Sequence, residues 1–194
     1  MGQRLWAPSA RRASASNMAA FMQAVNKSSN LNLKSYGELY QWSVDRIPEF
    51  WEMFLDFSKV RLHRPYNTVI DDIGKMPGAR WFEGATLNFA ENLLTYRDDR
   101  IALISRCESR PPVHITYGQL YAKVRALAWA LKGLGIQPGD RVAGFMPNIA
   151  ETVIAMLAAT ALGAVWSSCS PDFGIRGVLD RFGQTAPRVL FTAD

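Results

Sequence analysis

The chain has 194 residues, 48% of them hydrophobic and 20% charged, a composition that excludes disordered, collagen-like and disulfide-rich classes and suits an ordinary globular fold. Its formal charge of +5 is carried by the beginning, where Arg4, Arg11, Arg12, Lys27 and Lys34 precede the first acid, Glu38, and the remainder is neutral. No nucleic-acid partner is expected, because only Trp6 and Phe21 intersperse those early charges with rings.

A basic, acid-free start rich in Ser and Ala has the composition of a mitochondrial transit peptide, but a cytoplasmic location is the expectation here. Gly2 does not predict myristoylation, since Trp6 stands where that motif needs Ser or Thr. From Ser14 to Val25 the residues Met18, Phe21, Met22 and Val25 share one face of a short amphipathic helix. Ser35 with Glu38 makes a capping box, and Pro48 restarts a helix carrying Phe50, Trp51, Phe54, Leu55 and Phe57, a ring density that reads as a packing face. Residues 61–86, with Pro65, Gly74, Pro77, Gly78 and Gly84, read as an irregular connector. Residues 1–86 are therefore expected to form a small helical N-terminal region plus connector.

Residues 87–194 read differently. Leu87, Ala90 and Leu94, with Phe89 and Leu93, suit a helix packed by one side, leaving Asn88, Glu91 and Asn92 as a solvated face or as polar site residues. Ile101–Cys107 and Val113–Thr116 are strand candidates, and Pro111-Pro112 argues against a continuous strand between them. Thr116 caps the next helix with Gln119, Tyr121, Val124, Leu127, Ala128 and Leu131 line its inner face, and Gly133 and Gly135 end it. Those glycines follow a helix rather than a strand, so they are not a dinucleotide fingerprint, and no GxxxxGK[ST] phosphate loop exists.

From Arg141 onward the pattern is strand, helix, strand, helix, strand, with β-rich runs at 141–146, 164–168 and 188–192. That is the grammar of a parallel sheet. Asn148 with Glu151 is read as a capping box for the first helix, whose Ile149, Val153, Met156, Leu157 and Thr160 follow helical spacing among further Ala and Leu residues. Thr152 to Pro171 carries no charge, yet Gly163 breaks it into a buried helix and a strand, so no membrane span is expected. Ser170-Pro171-Asp172 is read as the capped start of the second helix. In such sheets ligands gather outside the carboxyl ends of strands, which singles out the loops Pro147-Asn148 and Cys169 to Asp172, with Trp166 just upstream. A purely structural role for these residues, as caps and core, stays open. Cys169 lies in that loop, but neither His63 nor His114 is near it, Cys107 is distant, and a reduced thiol is the plain reading; neither a disulfide nor a zinc site is supported. Asp180 and Arg181, on the following helix, are expected to be solvated charges.

The run GAVWSSCSPDFG from Gly163 to Gly174, followed by GVLDRFGQ from Gly177 to Gln184, resembles the acetoacetyl-CoA synthetases, a family within the adenylate-forming acyl-CoA ligase superfamily. LWAPS, SYGELYQWSV, LNFAENLL, ITYGQLY and GDRVAGFMPN are similar too. The resemblance implies a partial parallel-sheet α/β domain of the adenylate-forming ligase type, beginning at residue 87 and preceded by the helical region. It also implies acetoacetate, ATP and CoA as small-molecule substrates, with Mg2+, in lipid and ketone-body metabolism. It places CoA beside Ser170, Pro171 and Asp172, with no catalytic or metal-binding residue assigned within the chain; Trp166, a few residues before that loop on a strand with small neighbours, is expected near the site. The family's Ser/Thr/Gly-rich phosphate loop, adenine motifs and C-terminal lysine have no counterpart in these residues, so the chain is expected to be an N-terminal part, inactive alone. Related ligases tend to carry glycines at the CoA loop, where Pro171 lacks an N–H and Asp172 would repel a phosphate. A non-catalytic nucleotide- or CoA-binding Rossmann-like module is the alternative.

Overall fold

The computed structural model describes residues 5–108 and 110–193, so Gly2, Arg4 and Asp194 lie outside the described residues. The chain divides into two compact units, Met1–Thr86 and Leu87–Asp194.

In the first unit, Ser9 caps a short helix α1 (Ala10–Ser14) and Ser16 caps α2 (Asn17–Ser29), each side chain accepting a backbone N–H three residues on. The expected amphipathic helix is α2, which buries Phe21 and Val25 but leaves Met18 exposed. α3 (Tyr36–Asp45) opens on the Ser35–Glu38 capping box and α4 (Ile47–Ser58) on Pro48. Phe50, Phe54 and Phe57 of α4 converge on Phe21, with ring centroids 5.9, 6.0 and 5.2 Å away, all edge-on, while Trp51 turns to Trp81 at 5.9 Å.

The expected irregular connector contains a hairpin. β1 (Thr68–Ile70) pairs antiparallel with β2 (Trp81–Glu83), and Asp71 ties the intervening loop by accepting from Lys75 Nζ and the Arg80 N–H, each at 2.8 Å. The Lys75 bond first, and then that N–H, hold its carboxyl well below the usual carboxylate range. Three-residue strands among prolines and glycines leave too little alternation to be read from sequence.

The second unit starts with α5 (Phe89–Leu93), which buries Ala90 and, just after it, Leu94, while Leu87, Phe89 and Leu93 stay half exposed. β3 (Ile101–Cys107) pairs antiparallel with β4 (Arg110–Thr116), and β4 runs through Pro111-Pro112, contrary to expectation. Among the described residues β4 has β3 as its only partner, and the register shifts between Ser105 and Cys107, opposite the prolines, where pairing is already interrupted. α6 (Tyr117–Gly133) opens on the Thr116–Gln119 capping box, and Gly135 (φ 81°) turns the chain out of it.

β5 (Arg141–Phe145), α7 (Ala150–Ala161), β6 (Val165–Cys169), α8 (Ile175–Thr185) and β7 (Val189–Thr192) complete the chain. Their three strands form a parallel sheet in the order β6-β5-β7. One face, with Val142, Trp166, Val189 and Phe191, packs into the main core beside Val124 and Leu131 of α6 and Leu157 and Ala158 of α7. The other, with Ala143, Phe145 and Cys169, is covered by Val178 and Phe182 of α8. The sheet is wound on both sides, and this decides where loops diverge. No helix among the described residues is long and apolar enough to cross a membrane.

Asn88 is neither a solvated nor a ligand-facing residue. Its Oδ1 caps α5 by accepting the Glu91 N–H at 3.0 Å, while its Nδ2 donates to the Thr160 and Ala161 carbonyls at the end of α7, both at 3.1 Å. Asn88→Ala removes a cap and leaves the half-buried Ala161 carbonyl without its donor, while Thr160 O keeps the Gly163 N–H at 3.0 Å, and the change is expected to cost about 1–2 kcal/mol in urea unfolding. Asn88→Asp keeps the acceptor alone and should fall between. Unchanged stability in the alanine variant would show that water replaces the amide at no cost.

Candidate functional site at the carboxyl ends of the parallel strands

β5 and β6 are neighbours in exact register, Phe145 opposite Cys169, but the chain leaving β5 enters α7 on one face and the chain leaving β6 enters α8 on the other. Adjacent strands whose connections part in this way open a crevice between their carboxyl ends. The two loops singled out from sequence, Pro147-Asn148 and Cys169 to Asp172, are the walls of that divergence, and the second runs on to Gly174 before α8 begins.

Neither loop has the capping geometry expected of it. α7 has Ile149 at its N-cap position without a side-chain cap, because Ile149 N–H bonds Pro147 O at 2.9 Å and Thr152 Oγ1 donates to the same carbonyl at 2.7 Å. Asn148 is left exposed at the rim. On the α8 side the helix begins at Ile175, after Gly174 in extended conformation, also uncapped. Ser170-Pro171-Asp172 is therefore not the helix start. It forms a separate turn, in which Phe173 N–H bonds Ser170 O at 3.1 Å and Asp172 N–H bonds Ser170 Oγ at 3.3 Å. The Ser170 hydroxyl donates in turn to Asp172 Oδ2 at 2.6 Å, so the two side chains form one exposed polar unit that presents carboxylate and hydroxyl acceptors to solvent.

Trp166 lies on the α7 side of the sheet, half-buried in the main core. Its ring lies across Gly144 of β5, toward Phe191 of β7 at 6.2 Å between centroids, one residue short of the strand ends. A Cβ on Gly144 would stand 2.7 Å from two atoms of the indole. Cys169 is buried against Ala143 and Phe182 on the opposite face. Ser170, Pro171 and Asp172 thus follow the carboxyl end of β6, whereas Trp166 belongs to the core on the α7 side of the sheet. An open cleft of about 450 Å³ lies beside the β5 loop, lined by Leu103 to Arg106 of β3 and by Asn148, Ile149, Ala150 and Val153. Among the described residues no three His, Cys, Asp or Glu side chains gather as for a metal ion.

Two features escaped the sequence reading. The Gly144–Trp166 contact is signalled only by a glycine inside a strand. Arg181 is more than a solvated charge, because its guanidinium lies 4.0 Å from the Phe173 ring centroid, and the spacing Phe173, Gly177, Arg181 at i, i+4, i+8 was the signal.

Residues 89–194, more than half the chain, match the family model described as AMP-binding enzyme. The chain belongs to the AMP-binding enzyme family. Residues 36–93 match the acetyl-coenzyme A synthetase N-terminus. The chain is 44% identical over 98% of its length to acetoacetyl-CoA synthetase of Xenopus tropicalis, covering 28% of that protein. It is 41% identical over 97% of its length to malonamoyl-CoA synthetase of Penicillium aethiopicum, covering 27%. Among solved structures, acetoacetyl-CoA synthetase from Streptomyces lividans superposes with a TM-score of 0.91 at 43% identity, over 98% of this chain and 30% of that one. The chain thus spans under a third of the length of the relatives it matches. For this AMP-binding enzyme the α/β architecture with its parallel sheet agrees with that expected of the adenylate-forming ligase type.

Proposed function

We propose that the protein acts as an acetoacetate–CoA ligase, and that these 194 residues supply the wall of its CoA site. The observation that carries the reading is the agreement, over 98% of the chain, with a solved acetoacetyl-CoA synthetase. In the proposed reaction the acetoacetate carboxylate attacks the α-phosphorus of ATP and pyrophosphate leaves. The CoA sulfur then attacks the acyl carbonyl of the adenylate and AMP leaves. Bringing a carboxylate to a triphosphate requires donors and cations to offset like charges, and Mg2+ is the expected cation.

The residues at the crevice suit the nucleoside of CoA better than its phosphates. Asp172 and Ser170 offer acceptors, and Pro171 offers no N–H, which matches a ribose hydroxyl or an adenine amine and opposes a phosphate. Losing one charge-assisted hydrogen bond of this kind corresponds to about tenfold in affinity. CoA titrated into the native protein is accordingly expected to shift the amide resonances of Ser170 and of Asp172 to Gly174 and to alter tryptophan emission less in Trp166→Phe. Asp172→Ala should weaken binding about tenfold. Shifts confined to other residues, or an Asp172→Ala affinity equal to wild type, would remove CoA from this loop.

The malonamoyl-CoA synthetase relative favours a second acyl substrate of the same class, an acid with a carbonyl two carbons from the carboxylate. The native protein purified from its source should release AMP from ATP only with both CoA and acetoacetate. A clear preference for malonamate would move it to the second reading, and no dependence on either acid would leave a CoA-binding module.

A further inference from the structure

We infer that Arg181 is a positioning residue for the loop after β6, acting through the ring of Phe173. The loop needs an anchor, because α8 starts without a side-chain cap and without an acid in its first turn. Its own bonds are local, between Ser170, Asp172 and Phe173. Phe173 is the loop residue that reaches the helix body. The Arg181 guanidinium lies over its ring at 4.0 Å, while Arg181 Nη1 donates to Gly177 O at 3.3 Å, a bond that fixes the plane of the group. Both side chains rest on Gly177, where a Cβ would lie 3.4 Å from Arg181 Nη1 and 3.5 Å from Phe173 Cδ1. Among the described residues Arg181 has no carboxylate partner, so the ring and the Gly177 carbonyl define its position.

A flat guanidinium can lie on a ring and bond a carbonyl at once, whereas a lysine ammonium keeps the charge and loses the flat contact. The clamp therefore depends on shape more than on charge. It sets where the Ser170–Asp172 pair stands relative to the crevice, and in this respect the inference rests on the proposed CoA site. Arg181 itself need not touch the ligand.

The test reads loop order and ligand affinity separately, on the native protein and its Arg181→Ala, Arg181→Lys, Phe173→Leu and Phe173→Tyr variants. Hydrogen exchange at the bonded amides of Asp172 and Phe173 is expected to speed up about fivefold in Arg181→Ala, Arg181→Lys and Phe173→Leu, and to stay near wild type in Phe173→Tyr. The Arg181→Ala/Phe173→Leu double variant should be no worse than either single one. Exchange in β5 and α7 reports global stability and should not change. CoA affinity should fall about fivefold in the same three variants, with a salt dependence equal to wild type. Retention of loop protection and affinity in Arg181→Lys, with a reduced salt dependence in Arg181→Ala, would make Arg181 a direct phosphate contact and overturn the inference. Exchange rising equally throughout the unit would reduce Arg181 to a general stabiliser and overturn it as well. Faster loop exchange in the variants, in a wild type whose loop CoA fails to protect, would sink the CoA reading and leave the clamp standing.

Discussion

A polypeptide consisting of Met1–Asp194 is expected to give no acetoacetate-dependent exchange of labelled pyrophosphate into ATP, under conditions where full-length acetoacetyl-CoA synthetase from Streptomyces lividans exchanges readily. The argument is electrostatic. Loss of a single preorganised donor from a site that stabilises developing charge costs about a hundredfold to a thousandfold in rate. Residues 1–194 contain no glycine-rich cradle for a triphosphate, and the chain spans 28% of the length of its Xenopus tropicalis relative. Several such contributions are missing together, so exchange should fall to background rather than merely slow. The same polypeptide is expected to associate. β6 and β7 each have β5 as their only sheet partner among the described residues, and Val165, Leu190, Ile175 and Leu179 are exposed beside them. Light scattering that rises with concentration is the companion measurement. Exchange at anything near the full-length rate would mean that an ATP site lies among residues assigned here to structure.

How far the sequence led depended on the range of the interactions. The Ser35–Glu38 and Thr116–Gln119 capping boxes close within four residues, and both form as the sequence implies. β5, β6 and β7 lie within a residue of the expected strands, since a short apolar run between glycine and a helix cap has few other uses. Where two local arrangements compete, sequence did not decide. Ser170 can cap a helix or bond Asp172 two residues on, and it does the second, which pushes the start of α8 to Ile175. Pro111-Pro112 breaks a central strand but is tolerated on an edge, and edge position is a property of the sheet. The fastening of α5 to the end of α7 by Asn88 spans 72 and 73 residues, beyond any periodicity. At the candidate site, the placement of the loops at the strand ends was legible from the alternation of strands and helices. The opposite winding of α7 and α8 that opens the crevice was not, because the strand order decides it.

Gly144 should be the position in the sheet least tolerant of a single methyl group. It carries no conformational demand of the kind that glycine alone can meet, since positive φ occurs at Gly78, Gly84, Gly135, Gly139 and Gly163 but not here. What it provides is space. The indole of Trp166 crosses β5 at this point, with Cζ2 and Cη2 each 2.7 Å from where a Cβ would stand, and Gly144 is held between Ser168 and Phe191 by the ladder on both sides. Backbone paired on two edges cannot withdraw, so the ring must leave its place in the core. Overpacking of this severity is expected to cost about 3 kcal/mol in Gly144→Ala, a fall in melting temperature of about 6–12 °C for a chain of this size. Trp166→Phe removes the benzo half of the indole, which carries both clashing atoms, and should cost about 1–2 kcal/mol through the lost packing. Combined, the two substitutions fit each other, because the new methyl occupies space vacated by the missing ring. The double variant is therefore expected to be about as stable as Trp166→Phe alone, with a coupling energy of about 2–3 kcal/mol. Urea unfolding of the four proteins reads this directly. Strictly additive losses would show that the damage at Gly144 comes from the backbone and not from the indole that crosses it.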